Sequence, residues 1–177
     1  MKPIIKEDLI LFSNKKSGMS IIELIQLCRL VRQIKPKRIL EIGTKYGRTT
    51  INMAKFSPSD AKLVSVDIKV LDKPELVNLP EYSKIKFLQG DTRIFDFVGH
   101  GLIGFDLILV DANHKESFVI NDTKIAYRLI NPGGIIIWHD YNKDSQYHNI
   151  EVTQALNKMN IKPNVIKNTS LAWLRVE

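Results

Sequence analysis

The sequence predicts an α/β protein built on a doubly wound, seven-stranded, mostly parallel sheet whose last strand runs antiparallel. Two observations lead to this prediction. Short, continuously apolar segments alternate with segments of helical periodicity, which is typical of parallel strands covered by helices on both faces. Glycine, aspartate and histidine residues cluster directly after the apolar segments, where the strands of such a sheet end at a ligand-binding edge.

The first predicted element is a helix over residues 20–34. Ser20 and Glu23 have the spacing of a capping box, apolar residues recur at helical spacing after them, and Pro36 ends the helix. Strands are predicted at 38–43, 62–67, 85–88, 105–111 and 135–138, and helices at 49–56, 118–130 and 151–159. Residues 131–134, Asn-Pro-Gly-Gly, are predicted to end the helix over 118–130 before the fifth strand. Residues 165–166 and 171–176 are predicted to close the sheet as an antiparallel pair.

Length and composition predict one domain over residues 1–177, with residues 1–36 as an N-terminal helical extension. The chain has 177 residues, of which 44% are hydrophobic and 25% charged, the profile of a globular protein. No apolar run approaches the roughly 20 residues that a bilayer span needs, and the early acidic residues Glu7 and Asp8 disfavour a secretory signal. A cytoplasmic location is therefore expected. Cys28, the only cysteine, is expected to be a core thiol.

The basic charge does not predict a nucleic-acid partner. The formal net charge is +7, but the lysines and arginines are dispersed and aromatic residues do not interleave with them as on a single-strand binding surface. A solvated basic surface is the favoured interpretation, and it would also attract an anionic small substrate.

The first candidate binding feature is the turn after the first strand, where Glu41 begins the pattern Glu-x-Gly-x-x-x-Gly. Gly43 allows a sharp turn, Gly47 allows close approach to a ligand, and Thr49 stands near a helix N-terminus that could hold a carboxylate. Asp67 ends the second strand twenty positions after Gly47, where a carboxylate can accept hydrogen bonds from ribose hydroxyls. The loop is neither a dinucleotide fingerprint nor a Walker loop, and a plain tight turn is the alternative.

Residues 39–50 resemble the first motif of class I S-adenosylmethionine-dependent methyltransferases, especially the small metal-dependent catechol and caffeoyl-CoA O-methyltransferase branch. Residues 64–67 resemble the ribose-binding strand of that family, and Gly90-Asp91-Thr92 its adenine turn. The resemblance extends from about Ser20 onward and implies the Rossmann-like methyltransferase fold. The cofactor-binding residues that it implies are Glu41, Gly43, Thr44, Gly47, Thr49, Asp67, Ile68, Asp91, Thr92 and Asp111.

A second set of polar residues follows the fourth and fifth strands. Asp111 and His114 follow the fourth strand, and His139 and Asp140 follow the fifth. Carboxylates and imidazoles that meet at one edge of a sheet can hold a divalent cation, which would stabilise a substrate alkoxide. The alternative is that Asp111 contacts the cofactor or caps a helix while backbone groups satisfy His139.

The resemblance implies roles for these four residues. Asp111, His139 and Asp140 match the metal-ligand positions of the metal-dependent O-methyltransferases, and His114 stands where relatives place a lysine that acts as general base. A neutral imidazole suits that role without a large pKa shift. His139 departs from the family pattern, since Mg²⁺ prefers oxygen ligands. Either His139 packs or hydrogen-bonds nearby, or the metal is a transition ion such as Mn²⁺.

Several other residues are expected to have structural roles. Asp122 is expected at the surface or cap of its helix, although it matches a helix acid of the family. Trp138 is predicted to point away from the site into the core, and Trp173 is also predicted in the core. Tyr147 and His148 belong to a polar loop at the ligand edge and are candidates for substrate contact or for simple solvation.

The predicted function is methyl transfer from S-adenosylmethionine to a hydroxyl oxygen of a small molecule, with Mg²⁺ or Mn²⁺ as the expected metal. The alternatives are a methyltransferase that acts on RNA or protein, and a non-catalytic partner subunit with the same fold. With no inserted cap domain, residues 1–20 or a second subunit are expected to close the site, so a homodimer is among the expected assemblies.

Overall fold

The computed structural model describes residues 2–12, 18–69, 74–142 and 148–177, and its centre is a seven-stranded sheet. The strands are β1 (Arg38–Ile42), β2 (Lys62–Asp67), β3 (Ile85–Gln89), β4 (Phe105–Val110), β5 (Ile130–Trp138), β6 (Asn164–Val165) and β7 (Ala172–Arg175). The helices are α1 (Ile21–Ile34), α2 (Arg48–Phe56), α3 (Pro74–Val77), α4 (Glu116–Leu129) and α5 (Ile150–Lys158). Within the described residues, no helix is long and apolar enough to span a bilayer.

The topology confirms the predicted doubly wound sheet. The strand order is β3-β2-β1-β4-β5-β7-β6; β1 to β5 are parallel, and β7 is antiparallel to both of its neighbours. The chain runs outward from β1 to β3 and then returns to place β4 beside β1. The boundary between β1 and β4 is therefore the switch point, where the loops at the carboxyl ends diverge and leave a crevice.

Alternate residues of the central strands enter two separate cores. Leu40 and Ile42 of β1 join the core that α4 and α5 cover, whereas Ile39 joins the core covered by α1 and α2. The same alternation directs Trp138 into the α4–α5 core, where its Nε1–H donates to Thr123 Oγ1 at 3.0 Å. The prediction for Trp138 is thus confirmed, while Trp173 is only partly buried and packs at the margin of the other core.

Helix α1 forms as its sequence predicts. The Ser20 side chain accepts a hydrogen bond from Glu23 N, and the Glu23 carboxylate accepts one from Ser20 N, which together make the predicted capping box. Lys35 in the left-handed conformation ends the helix just before Pro36. The predicted core thiol Cys28 is fully buried on the inner face of this helix.

Helix α4 ends at Leu129, as residues 131–134 predict, but β5 begins at Ile130 rather than at the predicted residue 135. Phe105 pairs with Ile130 and Leu107 with Ile135, so the extra residues of β5 form an irregularity in the ladder. Backbone hydrogen bonds from Gly133 N to Val176 O (2.7 Å) and from Val176 N to Gly134 O (2.8 Å) keep the segment in the sheet. The pairing partner lies beyond β7, too far along the chain for a local turn pattern to reveal.

We expect Leu24→Ala to lower the free energy of unfolding by about 2–5 kcal/mol, because Leu24 is fully buried under the sheet and its truncation leaves a cavity. Urea unfolding followed by circular dichroism measures the change. Ile22→Ala in the same helix is the matched control, since Ile22 is 58% exposed and should stay within about 0.5 kcal/mol of the wild type. Equal losses in the two variants would contradict the packing of α1 described above.

Candidate functional site

A cavity of about 730 Å³ opens at the carboxyl ends of the parallel strands. Its size lies in the ordinary range of small-molecule sites, roughly 300–1,000 Å³. Most residues predicted to bind a cofactor or metal line this cavity: Gly43, Thr44, Thr49, Asp67, Ile68, Asp91, Thr92, Asp111, His114, His139 and Asp140. Glu41 and Gly47 are not among its lining residues.

Asp67, the last residue of β2, shapes the loop after β1. Its Oδ2 accepts hydrogen bonds from the backbone N–H groups of Thr44 and Lys45, both at 2.8 Å. Its Oδ1 accepts one from Lys69 N at 3.0 Å. Because a carboxylate oxygen can accept two hydrogen bonds, Oδ1 retains capacity for a ligand hydroxyl. One side chain thus both orders the loop and faces the cavity.

Gly43 permits a close approach between two strand ends. Its φ of 98° lies in the region that favours glycine. A Cβ at this position would lie 2.2 Å from the backbone oxygen of Asp111, well inside any contact distance. The loop after β1 can therefore lie against the end of β4 only because residue 43 has no side chain.

Glu41 supports this loop from beneath, which differs from the expectation that it lines the site. Its carboxyl group is fully buried and accepts hydrogen bonds from the hydroxyls of Thr50 and Ser65. Ser65 Oγ also lies 2.6 Å from Thr44 Oγ1. Burial raises the pKa of Glu41 to about 8 despite these donors. The group is therefore mainly protonated at neutral pH and links β1, β2, α2 and the loop.

Helix α2 begins beside the same loop. Its N-cap is Gly47 at φ 71°, which has no side chain to accept a hydrogen bond from the first turn. The first backbone N–H groups of the helix, with the Thr49 hydroxyl that lines the cavity, can therefore hold an anionic group. Gly47 contributes by leaving this helix end uncapped rather than by contact.

Another part of the cavity wall contains two aspartates with different surroundings. The Asp91 carboxylate is paired with the Arg93 guanidinium, which lowers the pKa of Asp91 to about 2. Asp122 is only 1% exposed and accepts a hydrogen bond from Thr92 Oγ1 at 2.6 Å. The expectation that Asp122 lies at a helix surface is wrong, because it belongs to the buried face of α4 and lines the cavity. Burial raises the pKa of Asp122.

The four polar residues after β4 and β5 meet in one cluster. His139 Nδ1 lies 3.0 Å from Asp111 Oδ1 and 3.3 Å from Asp140 Oδ1. His114 Nδ1 lies 3.2 Å from Asp140 Oδ2, and its Nε2 lies 3.6 Å from Asp111 Oδ1. Asp140 adopts a left-handed conformation at φ 59°, which aspartate tolerates better than most residues. His139 and Asp140 are buried, whereas Asp111 and His114 are partly exposed at the edge of the cavity.

Mutual contacts set the charges in this cluster. Burial alone would raise the pKa of Asp111, but the His139 and His114 imidazoles outweigh it and lower that pKa to about 2. The Asp111 carboxylate in turn raises the pKa of His114. Burial would lower the pKa of His139, but Asp111, Glu23 and Asp140 raise it well above its usual value. Burial raises the pKa of Asp140.

One group of possible ligand atoms overlaps with the predicted metal set without matching it in full. Asp111, His114 and His139 each offer one atom, and these three atoms lie within 4.8 Å of one another. The sequence prediction named Asp140 in place of His114 as the third ligand. In the structure the Asp140 carboxylate bridges the two imidazoles, so it adjoins the set.

Two parts of the site were not predicted from the sequence. Glu23 fits a capping box, yet its carboxylate Oε2 also lies 3.5 Å from His139 Nε2. Met19 lines the cavity, and its carbonyl accepts a hydrogen bond from the Arg48 guanidinium. The end of the segment before α1 thus contributes to the cavity wall, and closure of the site by residues 1–20 or by a second subunit stays a prediction.

The polar loop between β5 and α5 is only partly within the described residues. Tyr147, a candidate for substrate contact, lies outside them. His148 Nε2 lies 3.0 Å from Thr153 Oγ1, and the buried Asn142 donates to Thr169 O at 2.9 Å. Both of these residues are thus held by α5 or by the turn before β7.

Comparison with known protein families identifies the class. A family model described as a methyltransferase domain matches residues 40–141, more than half of the chain, and the chain belongs to this family. The matched residues contain the loop after β1, Asp67 and the cluster after β4 and β5. A curated relative, protein R132 of Acanthamoeba polyphaga mimivirus, is 33% identical over 75 residues, which span 42% of this chain and 33% of that protein.

Solved structures share the fold. The O-methyltransferase TomG from Streptomyces achromogenes, in complex with SAM (S-adenosylmethionine), has 20% identity and a TM-score of 0.69 over 90% of this chain and 82% of its own. An O-methyltransferase from Bacillus cereus in complex with SAH (S-adenosylhomocysteine) has 18% identity and a TM-score of 0.69 over 92% and 84%. MycE from the mycinamycin biosynthetic pathway, in complex with Mg, SAH and mycinamycin VI, has 17% identity and a TM-score of 0.60 over 86% and 49%.

We expect Gly43→Ala to destabilise the fold more than Gly101→Ala. Both residues have positive φ, so both substitutions carry the cost of a left-handed alanine, about 1–2 kcal/mol. Only at Gly43 does the added methyl group also meet a backbone oxygen; nothing lies within 4 Å of a Cβ at Gly101. The clash should add about 1–3 kcal/mol, measured by urea unfolding. Equal losses for the two variants would contradict the close approach to Asp111.

Proposed function

We propose that the protein is an S-adenosylmethionine-dependent O-methyltransferase that acts on a hydroxylated small molecule. One observation carries the proposal: a loop ordered by Asp67 and a cluster of carboxylates and imidazoles line the same cavity. The loop, or cofactor half of the cavity, suits a nucleoside with a charged tail. The cluster, or chemical half, suits the activation of a hydroxyl. TomG and the Bacillus cereus enzyme, which share the fold, are O-methyltransferases in complex with SAM and SAH.

The cofactor half offers a partner for each part of S-adenosylmethionine. Asp67 Oδ1 would accept hydrogen bonds from the ribose, and the uncapped start of α2 with Thr49 would hold the carboxylate. Asp91, Thr92 and the exposed side chain of Ile68 would surround the adenine. Gly43 would allow the loop to approach the methionine moiety, with Thr44 beside it.

The chemical half supplies a base for the acceptor hydroxyl. A hydroxyl is a poor nucleophile toward the sulfonium methyl group until its proton leaves. His114 lines the cavity, is about one-third exposed, and contacts both Asp111 and Asp140. In its neutral form it would take the proton, and the two carboxylates would stabilise the imidazolium that results. Only neutral His114 can act as the base, and Asp111 raises its pKa. Turnover should therefore rise with pH, with a midpoint above the ordinary pKa of histidine.

The donor set fits a divalent cation. The possible ligand atoms of Asp111 and His139 lie within 4.8 Å of each other, and Asp140 Oδ1 lies 3.3 Å from His139 Nδ1. Asp111 is ionised at neutral pH because its pKa is about 2. Asp111, His139 and Asp140 would hold the ion while His114 serves as the base, and an imidazole ligand suits Mn²⁺ better than Mg²⁺. When bound, the ion would stabilise negative charge on the acceptor oxygen. MycE, which shares the fold, is in complex with Mg.

The organisation of the chain follows the same proposal. A single domain over residues 1–177 is supported by the packing of α1 into the same core as α2 and the strands β1 and β4. Residues 1–36 would then be an extension that completes one face of the sheet. The homodimer and the cytoplasmic location stay predictions, to be tested by light scattering of the purified protein and by localisation of a tagged chain.

We expect S-adenosylhomocysteine to bind and to raise the melting temperature, because a ligand of the folded state stabilises it. Asp67→Ala should weaken binding by about 1–3 kcal/mol, since it removes an acceptor that would otherwise pair with ribose hydroxyls. Isothermal titration calorimetry measures the affinity of the wild type and of Asp67→Ala, and thermal unfolding measures the melting temperature. Asp60→Ala is the control, because Asp60 is an exposed carboxylate that pairs with Lys37 at the surface. The absence of heat and of thermal shift at millimolar ligand would contradict the proposal.

We expect His114→Ala to lower turnover by about 10²–10⁴-fold while S-adenosylhomocysteine still binds, because the general base is lost and the cofactor half is intact. His100→Ala, in an exposed turn after β3, is the control.

A chelator should abolish turnover, and Mn²⁺ or Mg²⁺ should restore it. The readout is S-adenosylhomocysteine formation with a panel of hydroxylated acceptors. Full activity in chelator, together with active Asp111→Asn and Asp140→Asn variants, would overturn the metal part.

A further inference from the structure

The carboxylate of Glu23 is buried behind the metal-candidate cluster. Glu23 lies in the first turn of α1, is 1% exposed, and belongs to the segment before the residues that the methyltransferase family model matches. Its Oε1 accepts hydrogen bonds from Ser170 N at 2.8 Å and Ser170 Oγ at 2.6 Å. Its Oε2 accepts one from Ser20 N at 2.8 Å. A buried carboxylate with three fixed donors has a defined position and orientation.

The remaining capacity of this carboxylate is directed at His139. Glu23 Oε2 lies 3.5 Å from His139 Nε2, a buried nitrogen that makes no hydrogen bond of ordinary geometry with any described residue. The other ring nitrogen, Nδ1, faces Asp111 and Asp140 on the cavity side. Because an ionised carboxylate can only accept hydrogen bonds, it favours a proton on the nitrogen that faces it. That leaves Nδ1 as the nitrogen directed at the cluster.

Ser170 connects the Glu23 carboxylate to Asp140, the other predicted metal ligand after β5. The Ser170 hydroxyl has one proton, which goes to Glu23 at 2.6 Å, and its oxygen accepts a hydrogen bond from Asp140 N at 3.2 Å. The Ser170 carbonyl accepts a further bond from Tyr141 N at 2.9 Å. The left-handed turn at Asp140 is thereby held from the face opposite to the cavity.

From this geometry we infer that Glu23 is a positioning residue, which holds His139 through its Nε2–H so that Nδ1 points at Asp111 and the cation site. The inference rests on the proposed function, in which His139 and Asp140 hold the ion. Histidine ligands of metals commonly donate their second N–H to a carboxylate, which fixes the orientation of the ring. In this protein the carboxylate comes from the N-terminal helix and reaches a ligand more than a hundred residues further along the chain.

The test substitutes Glu23→Gln and reads His139 directly. In ¹⁵N-histidine-labelled, metal-free protein, the Nε2–H of His139 should give a hydrogen-bonded signal protected from solvent exchange, assigned by its loss in His139→Asn. In Glu23→Gln the amide cannot satisfy both Ser170 and His139, so this signal should shift and lose protection. Mn²⁺ binding, followed by electron paramagnetic resonance, should weaken by about 10–100-fold.

Two further variants keep the test decisive. Ser20→Ala removes the hydroxyl that caps α1 but keeps the carboxylate; it should lower the melting temperature and leave the His139 signal and the Mn²⁺ affinity unchanged. Glu23→Asp keeps the charge but draws the carboxylate back by one methylene, so it should give an intermediate shift even if Glu23→Gln fails to fold. A wild-type His139 signal in both Glu23 variants would overturn the inference. So would a Ser20→Ala variant that moves the signal as far as Glu23→Gln.

The two proposals can fail separately. If the wild-type protein binds no Mn²⁺ and transfers no methyl group, the proposed function fails. The His139 signal then still decides whether Glu23 positions this ring, because that measurement uses neither metal nor substrate.

Discussion

The site depends on the absence of a side chain at residue 43. The backbone of the loop after β1 touches the backbone of Asp111 at the end of β4, where even a methyl group would lie 2.2 Å from an oxygen. This contact lies at the switch point of the sheet, where connections leave in opposite directions. It places the loop that would hold a nucleoside against the residue at which the reactive cluster begins. A bulkier residue would separate the two halves that methyl transfer must bring together.

Burial of charge is the second constraint on this edge of the sheet. Three carboxylates, those of Glu23, Asp111 and Asp140, surround the imidazoles of His139 and His114. Unpaired ions at such depth would be costly, and alternation of sign offsets much of that cost. Every member therefore depends on the others for its protonation state. Asp111 and Asp140 show this clearly, since their pKa values shift in opposite directions.

Local patterns predicted most of the fold and most of the cavity wall, because parallel strands end at one edge and their last residues must meet there. They failed where a polar residue lies in an apolar stripe. Asp122 shares the buried face of α4 with Val119, Thr123 and Ala126, and its spacing from them could have shown this. Glu23 fits the capping box of α1, and it also lies on the buried face of that helix. The capping box alone therefore does not reveal its second role. The course of residues 131–134 depends on Val176, a partner that no local pattern contains.

The bond between Glu23 and Ser170 spans 147 positions of the chain. Closing a loop of that length costs roughly 4 kcal/mol of chain entropy on a simple scaling estimate, so this contact forms only after much of the sheet has assembled. Local opening of α1 would release it while β1, β2 and Asp67 stay in place. On heating, the reactive half of the cavity should therefore lose its order before the nucleoside half does. In that temperature interval, a protein that binds S-adenosylmethionine as proposed would retain this ligand but would no longer transfer its methyl group.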